Sequence, residues 1–245
     1  MDKPIEIGDD ETLDVLFNEK LFFIQKKEGY RFSIDSILLC NFVELKEGDR
    51  VLEIGSGCGI IPIYLTFRGF KNRFLGVEIQ EELYRLSEKN KIINRCENVQ
   101  FIHGDIRVLK EELKKEPFDV IISNPPYTRE ESGRKSPKKS LHLARYETSL
   151  RLEEIMDVGR LLLKFLGRLY LIYPAYRTSE LIYFGKKHML EPKRLRFVHS
   201  RAEEEANLVL ADLRKGAKTG VRVERPLYVY SGSEYTEEVK TYYEL

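Results

Sequence analysis

The chain has 245 residues, of which 42% are hydrophobic and 33% charged, with a formal net charge of +1 at pH 7. That length suits one large domain, or a domain with an extension, and can bury about three quarters of its unfolded surface without disulfides or metal. The 14 Tyr and 13 Phe supply core material, which excludes disordered, collagen-like and fibrous classes. No apolar run approaches the ~18 residues of a membrane span. The start, MDKPIEIGDDETLD, is acidic and polar, unlike a signal peptide. These features predict a soluble, cytoplasmic protein, with a monomer as the default state. Cys40, Cys58 and Cys96 form no CxxC pair, and His103, His142, His188 and His199 form no HxxxH or HExxH spacing. No disulfide framework and no metal centre are expected.

In chain order, residues 1–45 read as a hairpin and helix extension, and 46–245 as the main domain. Leu21–Gln25 and Tyr30–Ser33 flank the polar Lys26-Lys27-Glu28-Gly29, which predicts two strands joined by a turn. A short helix follows from about Asp35 to Val43, capped by Ser33 or Asp35. Strand-like runs then occur at Arg50–Ile54, Phe74–Ile79, Val99–Ile102 and Phe118–Ser123. Helical stretches at Ile60–Phe67, Glu82–Asn94 and Arg107–Lys114 lie between them. Such alternation predicts βαβ units and a parallel, doubly wound α/β sheet. A helix near Leu152–Phe165, a strand at Leu169–Tyr173 and a helix at Thr178–His188 continue it. Strands at Arg194–His199, Ala206–Leu213 and Leu227–Tyr230 predict an antiparallel ending.

The first of these strands runs into Glu53-Ile54-Gly55-Ser56-Gly57-Cys58-Gly59. Gly55, Gly57 and Gly59 at alternate positions let the backbone turn tightly and approach a ligand, and the following helix N-terminus offers unpaired N–H groups. The spacing is GxGxG. It is neither the dinucleotide GxGxxG nor a P-loop, and a tight turn without ligand is the plain alternative. Glu78 ends the second strand, roughly 20 residues on, where a carboxylate can accept from ribose hydroxyls. Asp105 ends the third, where it can accept from an adenine amine or simply cap the next helix. Glu53, the three glycines, Glu78 and Asp105 together resemble the S-adenosylmethionine site of Rossmann-like (class I) methyltransferases. That resemblance implies a mostly parallel seven-stranded sheet.

The fourth strand ends in Ser123-Asn124-Pro125-Pro126-Tyr127. Two prolines stiffen the loop and hold Asn124 extended, so the segment presents an amide, a carbonyl and an aromatic ring rigidly. This NPPY sequence resembles the motif of amino-methyltransferases acting on adenine N6, cytosine N4 or glutamine nitrogen. The resemblance implies that Asn124 and the Pro125 carbonyl accept the two amine hydrogens, that Pro126 stiffens the loop, and that Tyr127 stacks on the target. It also puts Asn124 against the cofactor.

Gly29-Tyr30-Arg31-Phe32-Ser33-Ile34-Asp35-Ser36, Ala144-Arg145-Tyr146-Glu147, and Arg214-Lys215-Gly216-Ala217 through Pro226-Leu227-Tyr228-Val229-Tyr230 are similar to signatures of the bacterial tRNA1(Val) adenine-N6 methyltransferase family. Tyr146 departs from that family's His. Membership implies methylation of adenine N6 in a tRNA anticodon loop, with S-adenosylmethionine as cofactor and tRNA as partner, and no metal. Phe32 and Asp35 in the first of these segments are candidate substrate contacts, with contact to the cofactor or only to each other as the alternatives. The loop after NPPY carries Arg129, Arg134, Lys135, Lys138 and Lys139, a cluster suited to phosphates and expected to order with substrate. A second basic run, Arg194 to Arg225, reads better as a solvated face. Protein-glutamine methylation and a non-catalytic RNA-binding module of the same fold are the alternatives.

Overall fold

Both faces of the predicted sheet are apolar. Along Val51-Leu52, Val120-Ile121-Ile122 and Leu169-Tyr170-Leu171-Ile172, successive side chains enter two different hydrophobic clusters. A sheet with that pattern must be covered by helices on both sides. The computed structural model describes residues 6–17, 19–29, 31–126 and 150–243, and it has this layered form. The strands β1 (Glu11–Leu16) and β2 (Leu21–Lys26) precede helix α1 (Ile34–Phe42). Then come β3 (Arg50–Ile54), α2 (Ile60–Phe67), β4 (Arg73–Glu78), α3 (Glu81–Ile93), β5 (Val99–His103), α4 (Ile106–Leu113) and β6 (Phe118–Ser123). Further along the chain, α5 (Leu152–Leu162), β7 (Leu163–Pro174), α6 (Thr178–Lys187), β8 (Leu190–His199) and β9 (Ala206–Lys215) complete the core. Short strands β10 (Arg222–Val223), β11 (Leu227–Tyr228), β12 (Tyr230–Ser231) and β13 (Glu234–Tyr235) and helix α7 (Glu237–Thr241) close the chain.

The order across the main sheet is β10-β8-β9-β7-β6-β3-β4-β5, with β11 also beside β8. Seven longer strands form the expected sheet, and the two-residue β10 and β11 extend it to nine. Every pairing is parallel except those of β9, which runs against β7 and β8. The expected strand at 227–230 is divided: Leu227 and Tyr228 pair with β8, whereas Tyr230 and Ser231 turn away to pair with β13. Helices α1, α2 and α3 cover one face, and α4, α5 and α6 the other. No helix among the described residues is long and apolar enough to cross a membrane.

The N-terminal hairpin differs from expectation. Its partners are β1 and β2, paired Glu11 with Lys26 through Leu16 with Leu21, and residues 31–33 form no strand. The turn therefore lies at Phe17–Lys20, not at Lys26–Gly29. It contains no glycine, and Phe17 (φ 55°) and Glu19 (φ 64°) adopt the left-handed conformation that such residues rarely take. Phe17 is held there by ring contacts with Tyr64, Phe67 and Tyr243 at 5.3–5.5 Å. The polar Lys26–Gly29 stretch instead leads to Arg31, whose guanidinium returns to Thr12 (2.9 Å), the Lys26 carbonyl (2.8 Å) and Asp14. Leu21, Phe23 and Ile24 are buried in the same cluster as α1 and α2.

Candidate active site

Strand β3 sits between β4 and β6, so the chain leaves β3 in one direction and returns on its other side at β6. Such a reversal opens a crevice at the carboxyl ends of the strands. Ile54 and Ser123 are register partners, so the glycine loop after β3 and the Asn124-Pro125-Pro126 segment after β6 flank that crevice. The Ser123 hydroxyl, donating to the Ile54 carbonyl at 2.9 Å, ties the two strand ends together.

The glycine loop is a turn in left-handed backbone, with φ of 72° at Gly55, 54° at Gly57 and 84° at Gly59. Gly55 and Ser56 N–H both donate to the Val77 carbonyl, at 2.9 and 3.1 Å, which folds the loop over β4. At Gly59, the N-cap of α2, a Cβ would stand 2.6 Å from the Phe101 ring and 3.2 Å from Ser87 Cβ. Glycine is required there twice, by conformation and by space. Pro62 falls in the first turn of α2, where no intrahelical partner is lost.

Glu78 grips this loop. One carboxylate oxygen accepts from Gly57 N–H and the other from Gln80 N–H, each at 2.8 Å. Burial raises its carboxyl above the usual range, and the two backbone bonds oppose that shift. Glu53, 4% exposed, is pushed well above the carboxylate range by burial and then by the charge of Glu78. Its Oε2 and the Ser56 Oγ are buried with no hydrogen-bond partner among the described residues. Buried polar atoms are normally satisfied, so these two orphans beside the glycine loop are candidates for contact with a polar ligand.

Asp105 is the N-cap of α4, accepting from Arg107 N–H at 2.8 Å, and both its oxygens also meet the Arg107 Nε at 2.9 Å. The Arg107 guanidinium holds this carboxyl below the usual range. The capping alternative raised by its position is thus what its local bonds express.

On the other side of the crevice, Asn124 Nδ2 donates to Ser36 Oγ at 3.0 Å. Ser36 lies in the first turn of α1, whose N-cap Ser33 accepts from Asp35 N–H at 3.3 Å. Phe32 N–H donates to Gln25 Oε1 at 3.0 Å, and the Phe32 ring meets Phe23 edge-on at 5.2 Å. Phe32 and Asp35 are partly buried at the start of α1, and these bonds tie Phe32 to the hairpin. Tyr127, Arg129, Arg134, Lys135, Lys138, Lys139 and the Ala144–Glu147 motif lie outside the described residues. Much of the second basic run is engaged in ion pairs: Arg194 with Glu44 and Glu224, Arg196 with Glu238, Arg201 with Glu204, Arg214 with Asp212, and Arg222 with Glu224.

Sequence reasoning passed over Ser36, Ser56 and Asn90. Ser36 stood within a quoted signature and Ser56 within the glycine loop. Asn90 has a fainter signal: it is a polar residue in register with Leu83, Leu86 and Ser87 on the buried stripe of α3. Its Nδ2 donates to the carbonyls of Cys58 at 2.9 Å and Ile24 at 3.0 Å. Among the described residues, no three His, Cys, Asp or Glu side chains converge as metal ligands.

Residues 45–218 match the family model described as a methyltransferase domain. A Tolumonas auensis protein named tRNA1(Val) (adenine(37)-N6)-methyltransferase is 29% identical over 209 residues, covering 83% of this chain and 85% of the relative. One of the same name from Dyadobacter fermentans is 24% identical over 228 residues, covering 91% and 92%. Among solved structures, a predicted O-methyltransferase from Agrobacterium tumefaciens, Atu636, superposes with a TM-score of 0.68 at 19% identity, covering 85% of this chain and 94% of that one. M. jannaschii TYW2 in complex with AdoMet superposes with a TM-score of 0.57 at 16% identity, covering 84% and 86%. These likenesses under 25% identity speak for the fold. The family model spans well over half of the sequence, and the chain belongs to the methyltransferase domain family.

Proposed function

We propose that this chain is an S-adenosylmethionine-dependent methyltransferase acting on adenine N6 in the anticodon loop of a tRNA. The observation that carries the reading is the facing of Asn124-Pro125-Pro126 and the glycine loop across the β3–β6 crevice. The names of the T. auensis and D. fermentans relatives support tRNA1(Val) as the substrate and the anticodon-loop adenine as the target.

The crevice residues fit the cofactor. Glu53 Oε2 and Ser56 Oγ are orphaned polar atoms beside a loop of positive-φ glycines, chemistry suited to an amino-acid ammonium. Gly55, Gly57 and Gly59 would bring backbone close to it, Glu78 would accept from ribose hydroxyls while holding Gly57, and Asp105 would border the adenine. S-adenosylmethionine supplies an electrophilic methyl group, and its sulfur keeps the bonding pair when that group departs.

The chain's part is positioning. Asn124 Oδ1 and the Pro125 carbonyl accept the two N6 hydrogens of the target base, which directs the nitrogen lone pair along one line. Pro126 stiffens the loop, and Tyr127 stacks on the extruded base, a contact worth on the order of 1–3 kcal/mol. The new C–N bond takes its pair from N6, and the surplus proton passes to solvent, so no strong base is required. Arg129, Arg134, Lys135, Lys138 and Lys139 would hold phosphates without reading sequence, and Phe32 and Asp35 would line the substrate side. Residues 1–45 act as an extension built on the 46–245 domain, and the cytoplasm is the compartment where tRNA is met.

Transfer of a tritiated methyl group from the cofactor to bulk tRNA, set against a glutamine-bearing release-factor peptide, tests this reading. Label in the tRNA is expected; label in the peptide alone would move the target to protein glutamine.

A further inference from the structure

Gln25 is a polar side chain set among apolar ones. Leu21, Phe23 and Ile24 on the same strand are buried, and Gln25 itself is 3% exposed. A buried amide is costly unless both of its ends are used. Here both are used, and only one orientation fits. Nε2 donates to a carboxylate oxygen of Asp14, and Oε1 accepts from Phe32 N–H at 3.0 Å. An ionised carboxylate has no hydrogen to give and a backbone N–H cannot accept, so turning the amide over would break both bonds. Asp14 is held in turn. The Arg31 guanidinium meets the same oxygen, and Thr12 Oγ1 donates to the other at 3.3 Å.

These bonds join three segments. Asp14 lies on β1, Gln25 on β2, and Arg31 and Phe32 in the stretch that enters α1. Phe32 is fixed at its N–H by Gln25 and at its ring by Phe23, edge-on at 5.2 Å. Ser33 then caps α1, and Ser36 in the first turn of that helix stands 3.0 Å from Asn124 Nδ2. The hairpin therefore sets where the α1 side of the crevice stands. The glycine loop on the other side has its own bonds, to Glu78 and to Asn90.

We infer that Gln25 is a positioning residue for the methyl transfer: by joining Asp14 to the Phe32 backbone, it places Phe32 and the first turn of α1 beside Asn124, on the side where the target base enters. This rests on the methyltransferase reading proposed above. Without these two bonds the Phe32 segment shifts, and a shift of about 1 Å near reacting groups can cost on the order of 100-fold in rate. The cofactor side keeps its bonds.

The test is steady-state kinetics of the full-length protein on tRNA with S-adenosylmethionine, alongside cofactor affinity by calorimetry. Gln25→Leu keeps the bulk and makes neither bond. Its kcat/KM for tRNA is expected to fall about 10- to 100-fold, with the cofactor dissociation constant within about twofold of wild type. Gln25→Glu is the sharper probe, because a protonated Glu has the shape of Gln and offers the same donor and acceptor. The charged groups bonded in this cluster are Asp14 from β1, which favours the proton, and Arg31 ahead of α1, which opposes it. The proton is held at low pH and lost as pH rises. The ratio of variant to wild-type kcat/KM should thus be close to one near pH 5.5 and fall about 10- to 100-fold by about pH 8.5. Combining Asp14→Asn with Gln25→Glu lets amide and carboxylate trade places, and should restore the ratio at about pH 8.5.

A wild-type kcat/KM in Gln25→Leu overturns the proposal. So does a Gln25→Glu ratio that is constant with pH, or a loss of cofactor affinity equal to the loss of kcat/KM, which would mark a general packing role. Where Gln25→Glu unfolds at high pH, the double exchange decides: recovery supports the proposal, and turnover as slow as that of Gln25→Leu overturns it. Absence of wild-type turnover removes the functional reading, whereas full turnover by Gln25→Leu removes only this one.

Discussion

Asn90 pairs with Ile24 as a neighbouring strand would. Its Oδ1 accepts from Ile24 N–H at 2.6 Å and its Nδ2 donates to the Ile24 carbonyl at 3.0 Å. One helical turn on, Asn94 repeats the arrangement with Phe22, at 3.0 and 2.6 Å. Alternate residues of an edge strand present their N–H and C=O outward, and two amides at i and i+4 on α3 satisfy two such pairs. Asn90 also holds the Cys58 carbonyl, so the same side chain fixes the hairpin and the glycine loop.

Asn90→Leu should therefore act at two places. It leaves three buried backbone groups without partners, which predicts a loss of about 2–4 kcal/mol in urea unfolding. Amide exchange at Ile24 and in the loop around Gly57 should rise together. A variant with faster exchange in the hairpin alone would show that the two are not joined through Asn90.

Glu78→Ala removes the acceptor for Gly57 and Gln80 N–H. The loop loses its preset shape as well as a proposed ribose contact, so calorimetry should record cofactor binding weakened at least about tenfold, some 1.4 kcal/mol. An unchanged dissociation constant would take Glu78 out of the site.

Glu53 gives a pH dependence. Its folded carboxyl is raised above the ordinary 4.5, so the folded protein holds the proton that the unfolded chain releases. The stability this contributes is present below pH 4.5 and is lost as pH rises from there through the folded pKa. Glu53→Gln has nothing to ionise. Its melting temperature, without cofactor, should match wild type near pH 4 and exceed it by on the order of 2–8 °C near pH 8. Cofactor binding should nonetheless weaken. A gap that is constant with pH would contradict the buried, unpaired carboxyl.

Asn124→Ala should reduce turnover below detection while cofactor affinity falls far less, because the contact to the target amine is the one that matters in the transition state. Loss of both together would assign the residue a folding role.

Much of this arrangement is legible in the chain. The bounds of β3, α2 and β6 follow from apolar runs punctuated by Gly55–Gly59 and Pro125-Pro126, because those residues act locally. What is hidden depends on distant partners. The hairpin turn escapes notice because Phe17 and Glu19 hold left-handed backbone without glycine, and Phe17 does so against rings from α2 and the C-terminus. The role of Asn90 is hidden until β2, 66 positions away, supplies its partner. The Arg194–Arg225 run reads from sequence as a solvated face, but its acidic partners Glu44 and Glu238 lie far along the chain and only the fold supplies them.

The central claim is methylation of adenine N6 in tRNA. Nucleoside mass spectrometry of total tRNA, incubated with the protein and S-adenosylmethionine, tests it most directly. The account predicts a new N6-methyladenosine peak that maps to the anticodon loop and is absent with Asn124→Ala. Intact cofactor binding with no methylated nucleoside would contradict it.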